Sequence, residues 1–342
     1  MGFRAFVSMR ESCGQQTALF VRPINHMSRG QRRFLPAGSC LLRLAGAILA
    51  AISLAVEPAM AQQAAAPFPV PYTGTLKTIN ERGAIRIGYR ENSPPFAFLD
   101  AQKKPIGYSL DLCEIVVEEI AAELRRDVRI VYRPVTPENR FDLVRSGEID
   151  LECGSTTNNA ERRAIAAFSP TIFVTGTKLM VRRGTGIFGF RDLQGRTLVL
   201  TRGTVQHAAI PRLAERQKLS TKFVSGGDHD ESFQLLASGK ADAFANDDVQ
   251  LYGMLAQKKE ASAFRVVGEF LTYADYALMF RKDDPDFAEI VERAFHRLAG
   301  SREIVAIYRR WFQEPLPSGV RLNLPMSPHL EELFRVQGLP SD

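Results

Sequence analysis

Two polar stretches in this sequence combine residue types that can hold a charged solute. Gly154-Ser155-Thr156-Thr157-Asn158-Asn159 runs into Ala160-Glu161-Arg162-Arg163, and Asn246-Asp247-Asp248 follows 92 residues after the first stretch. A helix opening after Asn159 offers free N–H groups, a positive helix end and the guanidinium fork of Arg162, a combination suited to a carboxylate. Asp247 offers the opposite charge. The residue patterns that catalysis would require are missing: there is no G-x-S-x-G, no P-loop, no H-E-x-x-H, and no C-x-x-C or Cys/His group at zinc spacing. Binding rather than turnover is expected, with no cofactor and no metal.

Such loops need a frame, and from Leu76 onward strand and helix patterns alternate. Strands are predicted at 84–89, 128–132 and 149–153. After Gly107 a helix carries Cys113, Val116, Val117, Ile120 and Leu124 on one stripe, and a short helix at 140–144 closes at Gly147. From Leu179 the order repeats, with strands at 197–200, 222–224 and 241–244 and helices at 205–219 and 231–237. The chain also echoes itself: Arg145-Ser146-Gly147-Glu148-Ile149-Asp150-Leu151 matches Ala237-Ser238-Gly239-Lys240-Ala241-Asp242-Ala243. Each copy ends a helix at Gly, adds a strand and opens one of the polar stretches. Alternating strands and helices form a mostly parallel sheet covered on both faces, and ligands bind beyond its carboxyl edge. Two lobes of this kind set the polar stretches facing each other across a cleft. A helix from Pro285 buries Phe287, Ile290, Val291, Ala294 and Leu298, Ser301 caps a helix running to Trp311-Phe312, and Asp248 caps one over 249–257. Pro315, Pro317, Pro325 and Pro328 indicate an extended tail over 315–342.

The 342 residues carry 44 Lys+Arg against 38 Asp+Glu, a surplus that suits a nucleic-acid partner if it is spread over the chain. It is concentrated instead. Residues 1–61 hold seven Arg and two Glu, leaving 37 basic against 36 acidic residues in the rest, so no nucleic acid is expected. Arg32, Arg33 and Arg43 precede an apolar run that ends at Ala59-Met60-Ala61. This is the order of a secretory signal, and the run is shorter than the roughly 20 residues of a membrane span. The reading is a cleaved signal peptide over 1–61, with translation starting at Met27 as the better-proportioned form. A linker follows over 62–75, and the mature protein is soluble in an oxidising space outside the cytoplasm. Only Cys113 and Cys153 remain there, as a disulfide or as two buried thiols.

Further stretches carry a resemblance. Ile87-Gly88-Tyr89-Arg90-Glu91-Asn92-Ser93, Gly107-Tyr108-Ser109, Asn139-Arg140, Glu152-Cys153-Gly154-Ser155-Thr156-Thr157-Asn158-Asn159, Thr171-Ile172-Phe173-Val174, Gly203-Thr204 and Asp228-His229-Asp230-Glu231-Ser232-Phe233 are similar to the bacterial extracellular solute-binding proteins, family 3. The chain resembles in particular the glutamate/aspartate-binding branch serving amino-acid ABC transporters, over about residues 76–334. The resemblance implies an α/β, type II periplasmic-binding-protein fold. Residues 76–175 and 275–334 form lobe 1, residues 176–274 form lobe 2, and a two-strand hinge lies near 174–178 and 271–276. It also implies a periplasmic monomer that hands its ligand to a membrane permease. By position, Ser155, Thr157, Arg162 and Thr204 hold the α-carboxylate, Asp247 takes the α-ammonium, and Arg90, Arg140 and His229 face the second carboxylate of L-glutamate or L-aspartate. The chain departs from the family pattern at Pro137, where a serine hydroxyl precedes the Asn-Arg pair, with Thr136 as the neighbouring substitute. The competing readings are an enzyme on the same scaffold, such as a cyclohexadienyl dehydratase acting on a prephenate-like substrate through a cleft carboxylate, and the sensor domain of a receptor kinase.

Overall fold

The computed structural model describes residues 71–341, so the signal peptide, the Met27 start and the linker up to residue 70 lie outside the described residues. The described chain begins with α1 (Gly74–Arg82), which already occupies the end of the expected linker, and the left-handed Gly83 turns it into β1 (Ala84–Tyr89). A three-strand meander follows, β2 (Asn92–Ser93), β3 (Ala97–Leu99) and β4 (Pro105–Ile106). Next come α2 (Tyr108–Leu124), β5 (Arg129–Pro134), α3 (Arg140–Ser146), β6 (Leu151–Thr157), α4 (Ala160–Arg163) and β7 (Ala167–Phe168). The long β8 (Phe173–Arg182) leads into β9 (Thr197–Thr201), α5 (Val205–Arg216), β10 (Lys222–Gly226) and α6 (His229–Ala237). After β11 (Ala243–Asp247), α7 (Asp248–Gln257) and β12 (Phe264–Val267), the chain returns along β13 (Tyr273–Phe280) to α8 (Pro285–Gly300), α9 (Glu303–Phe312) and α10 (Pro328–Val336).

One sheet runs through both halves in the order β10-β9-β11-β8-β13-β6-β1-β5. In the first lobe β1 pairs in parallel with β5 and β6, and β13 lies antiparallel to β6. The second lobe repeats this, with β9 parallel to β10 and β11, and β8 antiparallel to β11. The two long strands pair with each other only at their near ends, where Tyr276 faces Phe173 and Tyr273 faces Gly176. Both chain crossings between the lobes run through this short antiparallel ladder, the geometry of a two-strand hinge.

Apolar stripes account for the layers. In α2, Cys113, Val116, Val117 and Ile120 are fully or almost fully buried, as are Phe287, Ile290, Val291, Ala294 and Leu298 of α8. With α9 they form the main core of the first lobe, and Val135, Val144, Ile149, Ala166 and Met279 fill the other face of that sheet. The second lobe has one core on each face, around Ile210 and Ala214 of α5 and around Phe233, Leu236 and Leu251 of α6 and α7. Covered parallel strands are the arrangement that alternating patterns anticipate.

Four local details differ from the sequence reading. The polar stretches are not loops: β6 runs on to Thr157 opposite Tyr276, and β11 runs on to Asp247 opposite Thr177. The long strands supply ladder partners that override the low strand propensity of Gly, Asn and Asp. The tail is not extended throughout, since Pro328 opens α10, Ser327 accepts a hydrogen bond from Leu330 N, and Leu330 and Phe334 are buried. Proline fits a first helical turn, where its missing N–H costs nothing. Ser301 ends α8, and α9 starts after the left-handed Arg302, although Ser301 Oγ still accepts from Glu303 N at 3.4 Å. Asp248 is the first residue of α7 rather than its cap, the capping position being that of Asp247.

Cys113 of α2 and Cys153 of β6 are joined as a disulfide across 40 residues, both fully buried. The bond ties the largest helix of the first lobe to the strand that carries Ser155 and Thr157. A loop of that length restricts the unfolded chain by roughly 4 kcal/mol in the entropic account. Replacing both cysteines by serine is therefore expected to lower unfolding stability by about 2–4 kcal/mol in urea titrations under oxidising conditions. A loss below about 0.5 kcal/mol would show that the crosslink has no structural role.

Candidate functional site

Between the lobes lies a small polar cleft lined by Arg90, Arg140, Ser155, Thr157, Arg162 and Tyr276 from the first lobe and by Thr204, Val205, Gln206, His229, Asn246 and Asp247 from the second. All eight residues singled out in the sequence for ligand contact line it. Their placement follows from the sheet. Arg90 follows the carboxyl end of β1, Arg140 starts α3, Ser155 and Thr157 end β6, and Asn246 and Asp247 end β11. Thr204 and His229 stand where α5 and α6 begin.

The three arginines dominate its electrostatics. Arg90 is 1% exposed and its guanidinium makes no hydrogen bond among the described residues, its Nη2 being sealed from solvent without a partner. Arg140 is 2% exposed, with Nη2 donating to Gly203 O at 3.4 Å and Nε sealed and unpartnered. Arg162 donates to Thr157 O and Gly203 O, both at 3.1 Å. Among the described residues none of the three forms an ion pair with a carboxylate. Burial first, and the Arg140 charge second, push Arg90 and Arg162 down to about 9, and burial lowers Arg140 as well. Glu152, fully buried in β6, opposes these shifts. Its Oε2 accepts from Thr156 Oγ1 at 2.6 Å and its Oε1 has no partner.

Asp247 is held on both oxygens. Oδ1 accepts from Thr177 Oγ1 at 3.1 Å and from Gln206 Nε2 at 2.7 Å, and Oδ2 accepts from the Tyr276 hydroxyl. Burial pushes its pKa up, and these three donors pull against that. Tyr276 is itself fixed by edge contact with Phe96, ring centroids 5.1 Å apart, in an aromatic cluster at the foot of the hinge. His229 Nδ1 is hydrogen-bonded to Thr201 Oγ1 at 3.0 Å. Burial, with Arg90 and Arg140 nearby, lowers its pKa well below 6.5, so the ring is neutral.

Two expectations change in detail. The Thr204 hydroxyl donates to Thr201 O at 2.6 Å and accepts from His207 N, so it caps α5, and what this corner offers a solute is the opening turn at Val205 and Gln206. Thr136 is exposed and is not among the residues lining the cleft, while its hydroxyl accepts from Asn139 N at 3.2 Å. The sequence reading passed over Tyr276, Gln206, Asn246 and the buried Glu152. Gln206 and Asn246 could have been found as neighbours of Thr204 and Asp247, whereas no local signal marks Tyr276. Gly184-Thr185-Gly186-Ile187-Phe188-Gly189 has dinucleotide-like glycine spacing, but it leads into a short 3₁₀ turn rather than a helix following a parallel strand. Among the described residues no group of three or more His, Cys, Asp or Glu is placed to hold a metal ion, and no helix is long and apolar enough to cross a membrane.

The lobes touch at the rim of this space. Gly203, at φ 72°, packs so tightly on Pro137 that a Cβ would lie 2.5 Å from the Pro137 carbonyl carbon. A Cβ on Gly253 of α7 would lie 2.1 Å from Pro94 O, and Arg202 of the second lobe pairs with Glu138 of the first at 3.2 Å. This is a closed arrangement, with the two lobes in direct contact beside the polar cleft.

The chain is 37% identical over 297 residues to the glutamate/aspartate import solute-binding protein of Escherichia coli (strain K12), covering 86% of this chain and 97% of that protein. It is 41% identical over 273 residues to the L-glutamate/L-aspartate-binding protein of Pseudomonas aeruginosa, covering 79% of this chain and 89% of that one. Among solved structures, an ancestral arginine-binding protein bound to arginine superposes with a TM-score of 0.61 at 25% identity, covering 68% of this chain and 99% of that one. A solute receptor for L-cysteine of Neisseria gonorrhoeae superposes with a TM-score of 0.62 at 23% identity, covering 70% and 93%, and so shares the fold. The pattern described as bacterial extracellular solute-binding proteins, family 3, matches residues 85–314. With that match and those identities, the chain belongs to the bacterial extracellular solute-binding proteins, family 3.

Proposed function

We propose that this protein is the substrate-binding component of an ABC amino-acid importer, and that it closes on one molecule of L-glutamate or L-aspartate and delivers it to a membrane permease. The observation that carries the reading is the convergence of three guanidinium groups on the interlobe cleft, Arg90 and Arg140 buried with unpartnered donors and Arg162 half-buried beside them. Leaving a buried charged donor unsatisfied costs about 1–3 kcal/mol or more. The charge count points the same way. Arg90, Arg140 and Arg162 against Asp247 and Glu152 leave an excess of positive charge, which a ligand with two carboxylates and one ammonium offsets and a neutral amino acid does not.

In this reading Ser155, Thr157, Arg162 and the opening turn of α5 after Thr204 hold the α-carboxylate. Asp247, oriented by Tyr276, Gln206 and Thr177, accepts from the α-ammonium. Arg90, Arg140 and His229 face the side-chain carboxylate. Ligand charge then links groups from both lobes, so binding favours the closed form over the open one. The signal peptide over 1–61 places the mature monomer in the periplasm. The family is one of solute-binding proteins, and the groups around Asp247 orient it as a counter-ion rather than freeing it as a base for a dehydratase reaction.

Two substitutions separate the roles. Arg162→Ala is expected to weaken binding of every amino acid by at least about 30-fold, since truncating one partner of a buried charge pair costs about 2 kcal/mol or more. Arg140→Ala is expected to weaken glutamate and aspartate by a similar factor while changing glutamine by less than about threefold, measured by calorimetry. Equal losses for acids and amides in the second variant would remove the assignment of Arg140 to the side chain. Gly203→Ala places a Cβ against Pro137 and is expected to keep the lobes apart, read by X-ray scattering as a radius of gyration that no longer falls when glutamate is added. A normal contraction would contradict the rim contact.

A further inference from the structure

The hydrogen-bond chain behind His229 determines which of its nitrogens carries the proton. Ser232 Oγ donates to Asp228 O at 2.8 Å. With its single proton spent there, Ser232 accepts in its 2.8 Å bond with Thr201 Oγ1, and Thr201, its own proton now spent, accepts from His229 Nδ1 at 3.0 Å. The Asn246 amide nitrogen Nδ2 lies 3.4 Å from the same ring nitrogen, and a proton on Nδ1 requires this amide to be turned with its oxygen and nitrogen exchanged. Nδ1 is thus the protonated nitrogen. In the neutral ring Nε2 is an acceptor, and it has no hydrogen-bond partner among the described residues while the ring lines the cavity.

The charged groups around the ring leave it in that state. Arg90 and Arg140 face it from the first lobe and disfavour a positive charge on the ring. On its own helix, Asp228 caps α6 through Glu231 N, Asp230 pairs with Lys258, and Glu231 accepts from Gly227 N. On β11, Asp247 is engaged by Thr177, Gln206 and Tyr276, and at the rim Arg202 pairs with Glu138. None of these carboxylates hydrogen-bonds to the imidazole.

We propose that binding of an acidic amino acid in this cavity takes up one proton from solvent, received at His229 Nε2. The inference rests on the acidic-ligand reading above. A side-chain carboxylate presents only acceptors, and an acceptor nitrogen facing it is repulsive until a proton lies between them. The imidazole takes that proton because its ordinary pKa, about 6.5, lies well above the roughly 4 of a carboxylate that also faces two arginines. The incoming negative charge offsets the guanidinium repulsion that keeps the empty ring neutral. A glutamine amide needs no proton, because its NH₂ donates directly to Nε2. Raising the pH therefore shifts the site away from acids and toward amides.

Calorimetric titration of L-glutamate into ligand-stripped mature protein at one pH, in phosphate and in Tris, reads the proton count from the difference in heat. Uptake of close to one proton is expected with glutamate and none with L-glutamine, and the glutamate Kd should rise about tenfold per pH unit between about pH 6.5 and 8. In His229→Gln the buffer difference and the pH slope should both vanish. Glutamate binding with buffer-independent heat would overturn the inference and leave the acidic-ligand reading standing. Uptake persisting in the variant would overturn its assignment to His229. No binding of glutamate or aspartate at all would overturn both.

Discussion

A buried excess of positive charge governs this molecule. Arg90 and Arg140 are almost fully buried with the half-buried Arg162 beside them, and Asp247 and Glu152 answer only part of that charge. Desolvation of unpaired guanidinium groups opposes closure, so a shut cleft without an anion is strained electrostatically and a cleft filled by one is not. The selectivity and the conformational cycle therefore have the same origin. In the proposed reading, the charge that disfavours a neutral guest also makes closure depend on an acidic one.

The fold serves that arrangement in three ways. The repeated strand order brings the carboxyl ends of β6 and β11 to face each other, so the first lobe contributes most of the cationic groups and the second contributes the anionic partner. The two crossings are confined to one short antiparallel ladder, which leaves the lobes free to rotate about it. Tyr276 lies at the end of that ladder and donates across it to Asp247, so a hinge residue touches the counter-ion directly. The Cys113–Cys153 bond and the aromatic cluster around Phe96 tie together the elements of the first lobe beneath the site.

Much of this was legible in the chain. Helical stripes such as those of α2 and α8, the Gly147 and Gly239 stops and the repeated motif are local signals, and they gave the lobes and the strand carboxyl ends. The charged members of the site were legible because a resemblance supplied positions for isolated residues such as Arg90 and His229, which no spacing rule marks. What escaped depends on distant partners. The Ser155–Thr157 and Asn246–Asp247 segments read as loops because their strand character comes from β13 and β8, more than 65 positions away along the chain. The Thr204 hydroxyl read as a free donor because its bonds to Thr201 O and His207 N are visible only once the turn exists. Glu152 was unremarkable as a residue in a strand pattern until burial placed it under three cations.

The most direct measurement is calorimetry of the unfolded, ligand-stripped and refolded mature protein against the twenty amino acids at neutral pH. The account predicts that glutamate and aspartate bind at least about 30-fold more tightly than glutamine, asparagine and every other amino acid, the equivalent of about 2 kcal/mol for satisfying the second carboxylate site. Glutamine or an apolar amino acid binding as tightly as glutamate would contradict it.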